Sequence, residues 1–571
     1  MTVPRTHPVR DPAGSARTRA RRRVLALAAV LAVGTGLAAC TGGSPSDPTP
    51  NGSGMTTEEP TAPSARAATV EGVATLPEQD PAGLTLSASR TFFEAAPLAV
   101  LVPTASAADA ATLAVAGAAA ESVAGPVLVV SDGDGGEDVS EELRRLGVEG
   151  LALVEAGPAP GTETGGADAP DATPSDAGTR AVPGLDDVVT VTVDPAAVAP
   201  DGEPDAAALD AALADLPATG EPETSAGTLA LTDRTTTPAS AVAGATARAS
   251  GATVLDVPGG DPRATSATVE GVHDAQADGA TSGTVGLGPS FGTAEDLTWR
   301  VETAATGVEL PGGGQIALPG KRYVALYGSP GAPVLGVLGE QDVPATIARA
   351  QEHAAQYEAL TGEPVVPTLE IITTVASGSA GSDGNYSNER SADLARPYVE
   401  AARDAGVYVV LDFQPGRTDF LTQVRAYEDL VVEPHVGVAL DPEWRLGPDQ
   451  VHLAQIGSVG VDEVNAVGDY LASLVRERDL PQKIFLLHQF RLSMISERER
   501  LDTTHPELAT VIHADGQGGQ EAKAATWANL HRDAPAGVFW GWKNFYDEDA
   551  PMLTPEQTWA VRPTPDFVSY Q

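Results

Sequence analysis

From about residue 320 onward the chain repeats one pattern: a short apolar run ends abruptly in polar residues, and an amphipathic stretch follows. Buried parallel strands read as continuous apolar runs, and strands alternating with helical stretches argue for βαβ units. Seven such runs stand at 323–327, 368–374, 407–411, 436–440, 484–487, 510–512 and 538–542, with amphipathic stretches such as 344–361, 389–405, 461–478 and 519–531 between them. About 250 residues is the usual size of a (β/α)8 barrel, so 311–571 is predicted to be one. The eighth strand is expected from 283–288 or 314–318, or is degenerate. A doubly wound sheet is the alternative.

In such barrels catalytic side chains sit at the C-terminal strand ends. Run 407–411 ends at Asp412, followed by Gln414 and Arg417, and run 436–440 leads into Asp441, Glu443, Trp444 and Arg445. These acids are the first candidates for chemistry. Side chains two apart on a strand share a face, which would place the Asp441 and Glu443 Cβ atoms about 6–7 Å apart at the barrel mouth. That spacing suits either class of glycosidase carboxylate pair. Other strand ends offer Glu370, His488 with Gln489, His513 with Asp515, and Trp540, Trp542 and Asn544. Each has a plainer reading. Asp412 and Asp441 are also the residue types that cap βα turns, and Glu443 could pair with Arg445 or Arg417. Glu370 fits a buried ion pair, His488 and His513 fit hydrogen-bonded structural roles, and one tryptophan-bearing face is expected to be core.

The first half differs. Of 26 aromatic residues, 22 lie after residue 320. Between 89 and 310, β-branched runs at 98–102, 127–130, 151–154, 188–193, 228–231 and 253–257 alternate with Ala-rich stretches at 105–123, 137–146, 204–215 and 238–250. This predicts a flavodoxin/Rossmann-like parallel-sheet region, with 158–182 as a loop. The glycine-rich segment 131–136 lacks the G-x-G-x-x-G spacing, and its Asp132 and Asp134 would oppose a phosphate. No cofactor is expected. Ser89-Arg90-Thr91-Phe92-Phe93, Gly125-Pro126 before an apolar run, and Leu143-Arg144-Arg145-Leu146-Gly147-Val148 resemble the cell-wall-binding repeats of secreted Gram-positive proteins, with 228–300 as a second, degenerate copy. The resemblance implies binding to an envelope polymer. A domain that only supports the barrel is the alternative.

The N-terminus carries Arg17, Arg19, Arg21, Arg22 and Arg23, an apolar run over 24–37, and Cys40, the only cysteine. This resembles a bacterial lipoprotein signal (1–39) in which Cys40 becomes lipidated. Two acyl chains there would anchor the chain stably to the membrane, at the outer face of the cytoplasmic membrane. An ordinary signal peptide or an uncleaved anchor is the other reading. Residues 40–88, rich in Thr, Ser, Pro and Gly, are expected to be a disordered tether. No second cysteine exists to form a disulfide. The chain carries a formal charge of −43; the first 39 residues hold seven arginines and one aspartate, leaving the remainder at −49. Nucleic acid is thereby an unsuitable partner.

Acid-tipped strands, a Trp-rich last strand and export resemble glycoside-hydrolase TIM barrels. That resemblance implies Glu443 as general acid/base and Asp441 or Asp412 as nucleophile or base. It also implies Trp540 and Trp542 as a sugar platform, and Gln414, Asn544 and His488 as hydroxyl ligands, with Glu370 and Asp515 also at the substrate. The expected partner is a cell-envelope glycan or polysaccharide. A metal-dependent hydrolase using Asp441, Glu443, His488, His513 and Asp515 with Zn or Mn ranks lower, since no H-E-x-x-H or H-x-H is present. A non-catalytic envelope-binding lipoprotein is the third reading. No G-x-S-x-G occurs within 311–571, and the sole cysteine is taken by the lipid site.

Overall fold

The computed structural model describes residues 62–130, 135–155, 188–200, 202–279 and 281–571. The lipoprotein-like signal, Cys40, most of the glycine-rich segment 131–136 and the loop 158–182 lie outside these residues. Among the described residues no helix is long and apolar enough to cross a membrane.

The valine- and alanine-rich half builds two all-parallel, four-stranded sheets. In chain order its elements are β1 (Gly72–Leu76), α1 (Pro81–Phe92), β2 (Leu98–Pro103), α2 (Ala110–Val123), β3 (Val127–Val130), α3 (Gly135–Leu146), β4 (Gly150–Val154) and β5 (Val189–Val193). There follow β6 (Thr228–Thr232), α4 (Ala239–Ala249), β7 (Thr253–Asp256), α5 (Ser266–Gln276), β8 (Gly283–Leu287) and α6 (Ala294–Ala305). The first sheet runs β3-β2-β4-β5 and the second β1-β8-β6-β7. The two share one order, with the strand following the first at one edge. In the second sheet the far edge is filled by β1, from before the first sheet in sequence. Ordered chain therefore begins well ahead of residue 89, against the expected tether: β1 pairs along its whole length with β8, and Leu84 and Ala88 of α1 are fully buried. The apolar positions of α1 supply the burial that a low-complexity tether lacks.

Helices α1, α2 and α4 lie in one core that joins both sheets. Their alanine content has a packing reason. A Cβ added at Gly117 of α2 would stand 3.1 Å from Ala245 Cβ of α4, so only small side chains allow that approach. The Ser89 hydroxyl donates to buried Glu142 at 2.6 Å, and Arg145 and Arg90 close on the same carboxylate at 2.7 and 3.5 Å. Segments recognised separately in the sequence thus meet at one carboxylate between α1 and α3.

The second half is a closed barrel of eight parallel strands: β9 (Arg322–Gly328), β10 (Val365–Ala376), β11 (Tyr408–Phe413), β12 (Val436–Leu440), β13 (Lys483–Gln489), β14 (Leu508–Ala514), β15 (Phe539–Asn544) and β16 (Phe567–Tyr570). Each pairs with its sequence neighbours, and β9 closes the ring by pairing with both β16 and β10. The doubly wound alternative is thereby excluded. The eighth strand is the C-terminal run, not 283–288, which forms β8 of the second sheet, and not 314–318. Segment 314–318 instead closes the barrel floor. Gln482 Oε1 accepts from the Ala317 and Leu318 amides at 3.0 and 3.2 Å, and Leu310, Ala317 and Leu318 join the interior cluster of Tyr323, Tyr408, Ile484 and Phe567. The second sheet is fastened to the barrel wall by Trp299 of α6, held between the guanidinium groups of Arg263 and Arg476 at 4.1 and 4.5 Å from its ring.

Inside the barrel, bulky and bare positions alternate. A Cβ at Gly541 of β15 would stand 2.6 Å from the His513 ring, so this glycine makes room for the imidazole. Gly541→Ala is expected to cost about 1–3 kcal/mol, the usual penalty for overpacking a core, measured by urea unfolding. It should also shift the His513 resonances while leaving far-UV circular dichroism unchanged.

Candidate active site

Strand parity decides which side chains reach the barrel mouth. Along β15, Phe539, Gly541 and Lys543 face inward, whereas Trp540, Trp542 and Asn544 face the helices. Trp542 packs with Trp527 and Leu530 of the helix Gln520–His531, and Trp540 stacks on His531 at 3.5 Å and 20°. Asn544 accepts from the Trp542 indole N–H at 2.9 Å and donates to Thr558 at 3.1 Å. The expected tryptophan platform and the Asn544 ligand therefore lie outside the barrel. The cause is the two-residue period of a strand: one step in register exchanges core and helix-facing sets.

A second expectation also changes. β12 ends at Leu440, and Pro442–Trp444 form a 3-10 turn capped by Asp441, whose Oδ1 accepts from the Glu443 amide at 3.2 Å. Asp441 and Glu443 do not share a strand face. Both nevertheless line the cleft, because the turn folds Glu443 back over the mouth. The ion pair weighed for Glu443 is not formed: Arg445 binds Glu463 at 2.9 Å, and Arg417 donates to the Gln450 carbonyl at 2.8 Å.

Beneath the mouth lies a buried array of alternating charge. Glu370 Oε1 is 2.7 Å from His488 Nε2. His488 Nδ1 lies 3.3 Å from Asp515 Oδ2, an ion-pair contact rather than a well-aligned hydrogen bond, and Asp515 Oδ1 is 3.2 Å from Lys543 Nζ. Glu370 and His488 are sealed from solvent, and of these four only Asp515 and the largely buried Lys543 reach the cleft. The ammonium also sits 3.4 Å over the Tyr327 ring, a cation–π contact strengthened by the lack of water. Tyr327 donates to Asp412 Oδ2 at 2.9 Å, while Asp412 Oδ1 is buried with no hydrogen-bond partner. Gln414 accepts from the Ala376 amide at 2.9 Å and turns its Nε2 toward the Tyr327 hydroxyl at 3.4 Å.

The charges follow from this packing. Burial opposes the charged form of His488, but Glu370 and Asp515 outweigh it and hold the imidazolium well above its ordinary range. Burial likewise opposes the Asp515 carboxylate, yet Lys543 and His488 keep it well below the usual carboxylate range. His513, buried beside the His488 cation and bonded to Ser569 Oγ at 3.0 Å, is pushed well down and stays neutral. The remaining acids move the other way. Burial raises Asp412 to about 6, and burial raises Asp441 well above the carboxylate range, reinforced by its acidic neighbours and only partly offset by His488. Burial, then repulsion from Asp515, raises Glu443 to about 7. Desolvation and charge thus separate two carboxyl groups on one cleft: a proton-bearing Glu443 and an ionised Asp515.

The cleft holds about 680 Å³. Tyr327, Gln414, Asp441, Asp515 and Lys543 form its floor, and Glu443, Trp444, Phe490, Arg491, Val334 and Leu453 line its walls and rim. Val334 and Leu453 are 92% and 90% exposed, and Leu453 holds a left-handed φ of 63°, uncommon for any residue but glycine. Of the predicted site residues, Gln414, Asp441, Glu443 and Asp515 line this cleft; Glu370, Asp412 and His488 form the layer that holds it. Tyr327, Lys543, Phe490 and Arg491 belong to the site without having been predicted. Lys543 had a signal, since it shares inward parity with Gly541. Tyr327 had none beyond its place at a strand end.

The metal-ligand set weighed from sequence does not converge. His488 is engaged on both nitrogens by carboxylates, His513 Nε2 meets Ser569, and Lys543 occupies the place beside Asp515 where a cation would sit. Among the described residues, three ligand atoms come within 4.8 Å of one another only at Asp469, Asp502 and His505, away from the cleft.

No protein-family model and no curated protein matches this sequence. Among solved structures, Cwp6 from Clostridium difficile aligns at 10% identity and a TM-score of 0.30, over 65% of this chain and 63% of that one. This chain thus spans less than two thirds of that protein's length, and a likeness of this size carries no weight for fold or function.

Proposed function

We propose that this chain is a glycan-directed hydrolase held at the outer face of the cytoplasmic membrane, with Glu443 as its proton donor. The observation that carries the reading is the Glu443 carboxyl, raised to about 7 at the wall of an acid-floored cleft. An acid of that strength holds its proton near neutrality and can give it to a departing oxygen. Glycosidic cleavage needs such a donor, together with fixed negative charge near the carbon that becomes cationic. Asp515 supplies that charge in this reading. Sugar rings present apolar faces, and Trp444 and Phe490 take the part first expected of Trp540 and Trp542.

Location and targeting rest on the sequence. The basic and apolar N-terminus ending in Cys40 supports a lipid anchor, and the segments around Ser89 and Arg145 support envelope-polymer binding by the α/β region. A net charge of −49 outside the first 39 residues disfavours polyanionic substrates.

Three measurements test this reading. The full chain is incubated with a panel of cell-wall and plant polysaccharides beside its Glu443→Gln variant. Turnover by the parent and a loss of roughly 100- to 10,000-fold in the variant are expected; an active variant removes Glu443 from its role. Because the active form of Glu443 is protonated, kcat/KM should fall as pH rises through about 7. That alkaline limb should vanish from whatever activity Glu443→Gln retains. Finally, Cys40→Ala should move the protein from the membrane pellet to the soluble fraction in a Gram-positive host, where retention in the pellet would argue for another anchor.

A further inference from the structure

We propose that Asp515 is the nucleophile that works opposite Glu443. This rests on the hydrolase reading and assigns the second half of its chemistry. Three carboxylates compete for the role. Asp412 is fully buried, hydrogen-bonded to Tyr327 and absent from the cleft lining; it cannot touch a substrate. Asp441 lines the cleft, but its Oδ1 accepts from the Glu443 amide, and among the described residues no cation pairs with its carboxyl group. Burial among acids keeps it protonated, and a carboxylic acid is a poor nucleophile. Asp515 alone joins exposure to the cleft with a cation on each oxygen, Lys543 on Oδ1 and His488 on Oδ2.

Those contacts leave the carboxylate reactive. Each carboxylate oxygen offers two lone pairs, so one remains on each oxygen after Lys543 and His488 are satisfied. Glu370 behind His488 locks the imidazolium, and the Tyr327 ring locks the ammonium, so the reacting group is held from two sides. The loop that carries Asp515 is fixed as well. Lys523 Nζ donates to the Gly516 and Lys543 carbonyls at 2.8 and 2.6 Å, and pairs with Asp549 at 2.9 Å. Asp549 in turn accepts from the Gly518 and Phe545 amides, both at 3.0 Å.

An Asp515 oxygen bonds to the anomeric carbon while the glycosidic C–O bond breaks. The electron pair of that bond goes to the departing oxygen, which takes the Glu443 proton. Water then loses a proton to the Glu443 carboxylate as its oxygen bonds to the same carbon, and Asp515 leaves as carboxylate. The two cations favour that departure, because they stabilise the anion being released. Glu443 ends protonated and Asp515 ionised, as they began.

The test uses the full chain with 2,4-dinitrophenyl glycosides of common hexoses and N-acetylhexosamines, and their 2-deoxy-2-fluoro counterparts. Proton NMR of the first product should show the anomer of the substrate retained. The fluoro sugars should leave one glycosyl group on the protein, mapped by peptide mass spectrometry to Asp515. Asp515→Gly should lose roughly 1,000-fold in kcat, and sodium azide should restore turnover by yielding a glycosyl azide. An inverted product, or a label on another carboxylate, overturns the assignment and leaves the hydrolase reading standing. If neither the glycosides nor the polysaccharide panel is turned over and no label is left, both fall. Should Asp515→Gly not fold, product anomer and label site in the parent decide the matter.

Discussion

The run of charges from Glu370 through His488 and Asp515 to Lys543 is the interaction on which the site depends. Carboxylates cannot be taken out of water unpaired without a cost of several kcal/mol each. This barrel places Glu370, Asp412, Asp441, Glu443 and Asp515 in one mouth. His488 and Lys543 are the cations among them, and they are spent on Glu370 and Asp515. The other three acids respond with raised proton affinities, Asp412 to about 6, Glu443 to about 7 and Asp441 well above the carboxylate range. A proton-bearing carboxyl and an ionised carboxylate coexist because the cations are distributed unevenly.

The rest of the molecule serves that distribution. An eight-stranded parallel ring brings side chains from strands far apart in sequence to one end, with a floor sealed by Leu310, Ala317 and Leu318. Gly541 clears space for neutral His513, which lies against the His488 ring at 5.0 Å and is held by Ser569 from the last strand. Lys523 and Asp549, themselves a buried pair, fasten the loop bearing Asp515 to the end of the strand bearing Lys543. The α/β half is joined to the barrel wall through Trp299, and its two sheets share a helical core, so these parts form a continuous packed body.

Much of the fold was legible because strand burial and helix amphipathicity are local patterns. Seven of eight barrel strands can be read from apolar runs alone; β16 was missed because Phe567–Tyr570 is four residues long and contains Ser569. The tether was drawn too far, since Leu84 and Ala88 sit in a stretch whose composition looks disordered. Asp412, Asp441, Glu443, His488 and Asp515 were singled out by their place at strand ends, and the barrel gathers them at one mouth. Trp540, Trp542 and Asn544 were misplaced because composition does not say which parity of a strand faces inward.

By itself, the sequence determined that a parallel α/β half precedes a strand–helix barrel, and that acids and histidines gather at strand ends. Alternation and period are properties of neighbouring residues. Tertiary structure alone decided which acids keep protons, that Lys543 and Tyr327 line the cleft, and that Trp540 and Trp542 pack under a helix. Those outcomes depend on distances between residues separated by tens to hundreds of positions and on the loss of water around them. Neither quantity is written in any local stretch of chain.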